Sequence, residues 1–189
     1  MLHNLVLKNR SYRRFYQSAE ITEQQLKDWV NLARLSASGR NAQPIKYILS
    51  CEKSKNEKIF STLAWAAFLT DWSGPVEDER PSAYIIQLLD TTIANQFFCD
   101  DGIAAQSILL GAVESEFGGC IFRSINKPQL MQALKIPEQY QIINVIALGK
   151  PKEEVVIEEI QNGDFKYWRD EINVHHVPKR SLTELILPL

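Results

Sequence analysis

The chain has 189 residues, 45% of them hydrophobic and 23% charged, close to the averages of folded chains and long enough to bury a real core. That composition excludes disorder over the whole length. A formal net charge of −2 gives no general attraction to nucleic acid or an anionic membrane, so an anion would have to be held by local basic residues. Cys51, Cys99 and Cys120 are odd in number and far apart, with no CxxC pair. They argue against a disulfide framework or a zinc finger and suit a reducing compartment. The start, Met1-Leu2-His3-Asn4, lacks the basic and apolar regions of a signal peptide, and no run approaches about 18 apolar residues. A cytoplasmic location is expected.

In chain order, a short helix is expected over residues 3–9. Thr22 and Gln25 then have capping-box spacing, and Leu26, Trp29, Val30, Ala33 and Ala37 recur at helical spacing to give one apolar face. Gly39 and Pro44 close that helix, leaving 38–44 as a loop. Residues 45–50 read as a strand, 53–66 as a helix and 83–89 as a buried strand. Residues 95–117 form the longest periodic segment. Its small residues, Ala104, Ser107, Gly111, Ala112 and Ser115, predict a central buried helix that packs closely, with Asp100-Asp101 suited to its N-terminus if it begins there. Residues 120–122 can be a strand, and Asn126 caps a helix with Pro128 in its first turn. Residues 141–148 predict another buried strand. The remainder, 152–189, reads as polar and irregular with an apolar end that could be an arm on a partner subunit. No repeat or linker divides the chain, and one α+β domain is expected.

Three stretches could carry chemistry. Arg10-Ser11-Tyr12-Arg13-Arg14-Phe15 places three arginines and a hydroxyl where they can converge on a phosphate, since a guanidinium makes bidentate charge-assisted bonds. Equally, it reads as a solvated basic turn. Ser38, Asn41 and Gln43 put donors and acceptors on a constrained loop, suited to the polar edge of a heteroaromatic ring, and also to a plain helix-terminating turn. Lys179-Arg180 is by itself a surface pair. His3 stands alone, and the adjacent His175 and His176 would point to opposite sides of a strand, so structural or surface roles are expected for all three. Asp100-Asp101 lack a third ligand, and no metal is expected. HExxH, GxSxG and P-loop patterns are absent. Trp72, in a loop before Gly74-Pro75, is a weak candidate for a pocket wall.

In this order the motifs resemble the FMN-dependent nitroreductase family. Arg10, Ser11, Arg13 and Phe15 match an Arg-Ser-x-Arg-x-Phe motif. Ala37-Ser38-Gly39-Arg40-Asn41-Ala42-Gln43-Pro44 is similar to a Pro-Ser-x-x-Asn-x-Gln-Pro loop, with Ala37 in place of the first proline. Residues 101–110, 118–122, 144–151 and 178–185 are similar to the family's central helix, following strand, last core strand and basic C-terminal element. The family often has a basic residue at the position of Asn9, and residues 65–80 match no motif.

The resemblance implies an α+β nitroreductase-like fold, with a central mixed sheet flanked by helices. It also implies an intertwined homodimer in which 152–189 packs on the partner. The expected activity is FMN-dependent reduction of nitroaromatic, quinone or enone electrophiles by NADH or NADPH, as two-step hydride transfer at flavin N5. Arg10, Lys179 and Arg180 would neutralise the FMN phosphate, and Ser11 would donate to it. Arg13 would lie near the ribityl chain and pyrimidine edge as an electrostatic stabiliser. Ser38, Asn41 and Gln43 would line the flavin from the second subunit, and Phe122, Arg123 and Ser124 would contact its edge through their backbone. Alternatives are a non-catalytic flavin-binding protein, or a dehalogenase-like, flavin-fragmenting or peptide dehydrogenase-like enzyme on the same fold.

Overall fold

The computed structural model describes residues 1–188. Helices alternate with strands as α1 (Leu2–Lys8), β1 (Phe15–Tyr16), α2 (Glu23–Leu35), β2 (Ile45–Ser50), α3 (Lys53–Phe60), β3 (Ala83–Asp90), α4 (Asp100–Glu114), β4 (Gly118–Phe122), α5 (Lys127–Leu134) and β5 (Tyr140–Pro151). The last part holds β6 (Val155–Glu159), β7 (Trp168–Arg169), β8 (His175–Lys179) and α6 (Leu182–Leu185).

The α+β class is as expected, but the central sheet is antiparallel throughout its ladders rather than mixed. Its order is β1-β5-β3-β2, with β4 on the other side of β5. Helix α4 carries the chain from β3 to β4, which run the same way. Strand β5 is inserted between them: Leu148 faces both Ala83 of β3 and Gly119 of β4. Each contact within this sheet is therefore antiparallel, and the Ser11–Gly119 bridge beside it is parallel.

All eight residues of β3 are buried, as a strand covered on both faces requires. Period-2 alternation divides them: Ala83 and Ile85 join a core with α2 and α4, while Tyr84, Ile86 and Leu88 join one with α3 and α5. Helix α2 begins at the expected capping box, in which Thr22 and Gln25 bond reciprocally. A Cβ added to Gly111 of α4 would stand 3.0 Å from Trp29 Cδ1 of α2, so the glycine sets how closely the two helices pack.

Several bounds differ from expectation for identifiable reasons. Helix α4 starts at Asp100 rather than residue 95 because Phe98 takes a left-handed φ of 48°, which breaks the helical run. Helix α3 stops at Phe60 rather than 66, since the next residues are captured by the segment leaving β4: Ala64 N donates to Ser124 O (3.0 Å), and Leu63 bridges Ile125. Residues 152–188 are not irregular. Strand β8 pairs with β6 in parallel and with β7 antiparallel, giving a small second sheet. Long loops with turn residues separate these short strands and hide their pairing from a local reading. No helix among the described residues is long and apolar enough to cross a membrane.

Candidate anion-binding site

The two basic ends of the sequence meet. Asn9, Arg10, Ser11 and Arg13, which follow α1, line a cavity of about 270 Å³ together with Tyr167, His175, Val177 and Lys179. Strand β8 contributes alternate residues 175, 177 and 179, one face of a period-2 strand. Arg180 falls beyond the strand and outside this lining, its Nη1 3.2 Å from Glu184. The 9–13 segment is held down where Tyr12 N donates to Gly119 O (3.1 Å) and Tyr12 Oη donates to Lys8 O (2.8 Å).

The lining has three cations and no carboxylate. Arg10, Arg13 and Lys179 form no ion pair among the described residues. Arg10 donates from Nη2 to Val6 O (2.8 Å), and its buried Nε has no partner. Arg13 is 9% exposed, with its guanidinium 4.6 Å above the Tyr167 ring. Its Nη1 lies 3.3 Å from Ser11 O and 3.2 Å from His175 Nε2. A guanidinium cannot accept a hydrogen bond, so His175 Nε2 accepts and the neutral ring carries its proton on Nδ1. That Nδ1 is buried without a partner. Two orphaned donors thus border a cavity of donors, the arrangement an anion with several acceptor oxygens satisfies.

Glu153 supports the site from beneath. Its fully buried carboxylate accepts from the backbone N–H groups of Arg13 and of Arg14 (3.3 Å), and from Arg169 Nη2 at 2.8 Å. Its charge is engaged by Arg169 and the backbone, which leaves the Arg13 guanidinium uncompensated. Alongside, Arg14 and Lys152 converge on Glu79 and hold its carboxyl down at about 2.

Burial, then the charges of Arg13 and Arg169, lower the His175 pKa from 6.5 to about 4. The unfolded chain binds a proton here at a pH where the folded one does not, so stability falls as pH drops from about 6.5 to about 4. The full loss approaches about 3 kcal/mol. His176 has the opposite sign. Against burial, Glu158 and Asp170 raise its pKa, so its contribution is complete below about 6.5 and is lost only above it. Glu79 acts only below about 4.5. Melting temperatures of the ligand-free protein between pH 4 and 7 are expected to show this limb in wild type and not in His175→Phe. Equal slopes would refute it.

The other expected site residues lie elsewhere in the chain. Ser38 and Gln43 border a separate cavity of about 230 Å³ that shares no lining residue with the first. Asp100, buried at the start of α4, accepts from Ser38 Oγ (2.6 Å) and Gly39 N (2.8 Å), and Gln43 N donates back to Ser38 Oγ (3.0 Å). This clamp holds a loop in which Arg40, Asn41 and Gln43 all have φ between 52° and 55°, a costly conformation for non-glycine residues. Asn41 is exposed, its Oδ1 3.2 Å from Gln43 Nε2. Phe122 is core, 4.6 Å from Trp65. Arg123 is exposed and paired with buried Asp101, and Ser124 is bonded to Ala64. Trp72 lies 4.3 Å beneath the Arg169 guanidinium. Sequence reasoning missed His175, Tyr167 and Glu153. Alternation along 175–179 is the one signal that links His175 to Lys179. No group of three or more His, Cys, Asp or Glu side chains suited to a metal occurs among the described residues.

No protein-family model matches the chain. A curated Archaeoglobus fulgidus protein named as an NADH dehydrogenase/NAD(P)H nitroreductase is 24% identical over 157 residues, covering 79% of this chain and 85% of that protein. The solved structure of an FMN-dependent nitroreductase from Clostridium difficile R20291 superposes with a TM-score of 0.65 at 22% identity, covering 86% of this chain and 92% of its own. The NADPH:FMN oxidoreductase of Vibrio harveyi, complexed with NAD+, gives 0.60 at 20% identity over 79% of this chain and 68% of its own. The chain has the fold of the nitroreductases.

Proposed function

We propose that the protein is an FMN-dependent NAD(P)H oxidoreductase of the nitroreductase type, acting on small electrophiles such as nitroaromatics, quinones or enones. The observation that carries this reading is the carboxylate-free cavity where Arg10, Arg13 and Lys179 converge with the orphaned donors Arg10 Nε and His175 Nδ1. A phosphate monoester fits this chemistry, and the relatives described as FMN-dependent or NADPH:FMN oxidoreductases supply its identity.

When bound, FMN supplies hydride transfer between a nicotinamide and the electrophile. Arg10, Ser11 and Lys179 would hold the phosphate, joined by His175 Nδ1–H, with Arg180 reaching it only on leaving Glu184. Arg13, packed over Tyr167 and bonded to His175, would supply positive charge to the rest of the cofactor. Ser38, Asn41 and Gln43 would come from a second copy, with Phe122, Arg123 and Ser124 at the ring's edge. A homodimer also gives cover to apolar side chains left exposed on and around α1 and α6: Leu2, Leu7, Leu182, Leu185 and Ile186.

The test is an absorbance spectrum of the purified protein, chromatography of the chromophore released by heat, and anaerobic addition of NADH and NADPH. Released FMN that is reduced faster than free flavin is expected. A colourless protein that does not bind added FMN would overturn the proposal, and bound FMN without such reduction would leave a flavin-binding protein.

A further inference from the structure

A third cavity, about 470 Å³, shares no lining residue with the two above. It lies between the segment joining β1 to α2, the start of α3 and residues 77–82 ahead of β3. Its floor is apolar: Ile21, Pro81 and Tyr84 are buried. On the inner wall Arg80 lies over Phe60, its guanidinium carbon 4.4 Å from the ring centre. Arg80 Nε and Ser82 Oγ are both buried and without a hydrogen-bond partner.

The amides beside them are engaged elsewhere. Asn56 accepts from Ser50 Oγ (2.7 Å) and donates to Ser82 O (2.8 Å). Gln17 Oε1 accepts from the N–H groups of Asp78 (2.9 Å) and Arg80 (3.2 Å). Arg80 and Ser82, both lining the cleft, thus each keep a buried polar atom with unmet donor capacity, which costs free energy unless an acceptor arrives.

Three exposed carboxylates, Glu20, Glu57 and Glu77, line the same cavity with Lys53. Neither Arg80 nor Lys53 pairs with any of them, although Lys53 and Glu57 are one helical turn apart on α3. The cleft therefore keeps opposite charges apart across open space. A simple anion would meet a lining with one more carboxylate than cations, and a simple cation would leave Arg80 unserved. A molecule with both charges answers both.

We propose that this cleft binds a small organic zwitterion of amino-acid size. Its carboxylate lies on Arg80 and Ser82, its aliphatic part on the Ile21–Tyr84 floor, and its ammonium faces Glu20, Glu57 and Glu77. The guanidinium, packed over Phe60, would meet the carboxylate with part of its ordering already done.

Calorimetric titration of the full-length protein with 5-aminopentanoate, and with pentanoate and pentylamine as matched halves, tests this. Saturable binding of the zwitterion, with both halves much weaker, is expected. Arg80→Gln should weaken it roughly 10- to 100-fold and Ser82→Ala several-fold, with unchanged circular dichroism. Glu57→Gln with Glu77→Gln should weaken the zwitterion and leave pentanoate no weaker. No saturable heat in the millimolar range, pentanoate binding as tightly as the zwitterion, or affinity unchanged by both Arg80→Gln and Ser82→Ala would each overturn the proposal.

Discussion

Glu153→Ala is expected to destabilise the protein by about 3–5 kcal/mol, which for a chain of this size lowers the melting temperature by roughly 6–20 °C. The carboxylate is fully buried and is the counter-ion of Arg169, whose side chain is only 10% exposed. Burial already lowers the Arg169 pKa, and Glu153 is the charge that opposes this. Removing it leaves a buried guanidinium uncompensated and frees the N–H groups of Arg13 and Arg14 in the same step. Glu153→Gln retains an acceptor for the backbone but not the charge, so it should fall between the two. Thermal melts of the three proteins decide the matter: an alanine variant melting within a degree of wild type would mean that the Arg169 pair is relieved by water. Glu153 also fixes the backbone from which Arg13 reaches the cavity.

Arg10→Ala should weaken FMN binding by roughly 10- to 150-fold, the loss of one charge-assisted contact to a phosphate. The expectation rests on a side chain with no carboxylate partner among the described residues and an unsatisfied Nε. Fluorescence titration with FMN measures it, and riboflavin, which lacks the phosphate, is the control. Riboflavin should bind wild type and variant alike. An equal loss for both flavins would show that Arg10 acts on the fold or on the ring, and FMN affinity unchanged by the substitution would remove the residue from the site.

How far the sequence could be read depended on the range of the interactions. The Thr22–Gln25 capping box, the Asn126 cap and strand 45–50 are written in residues a few positions apart, and each formed where its local signal placed it. The small-residue pattern of α4 foretold close packing, which Gly111 provides against Trp29. The arginines at residues 10–13 were readable as chemistry suited to a phosphate and equally as a solvated turn, and Lys179-Arg180 as a surface pair; that the two clusters meet was only implied by resemblance, with some 170 positions between them. His175 was indistinguishable from a surface histidine because its role depends on Arg13, a residue 162 positions away.

By itself, the sequence located α1 to α5, the strands β2 to β5 and the buried stripes, along with the chemistry available to the basic segments, because capping, periodicity and side-chain charge act within a few residues. Tertiary structure alone decided the rest. It put β5 between β3 and β4, so that a sheet expected to be mixed became antiparallel. It gathered β6, β7 and β8 into a second sheet that places Lys179 and His175 beside Arg10 and Arg13. It assigned Glu153 to Arg169 rather than to the Arg13 guanidinium. Strand partners, ion-pair choices and the proton on a histidine ring are each settled by competition among groups distant in sequence, and that competition takes place only once the chain has folded.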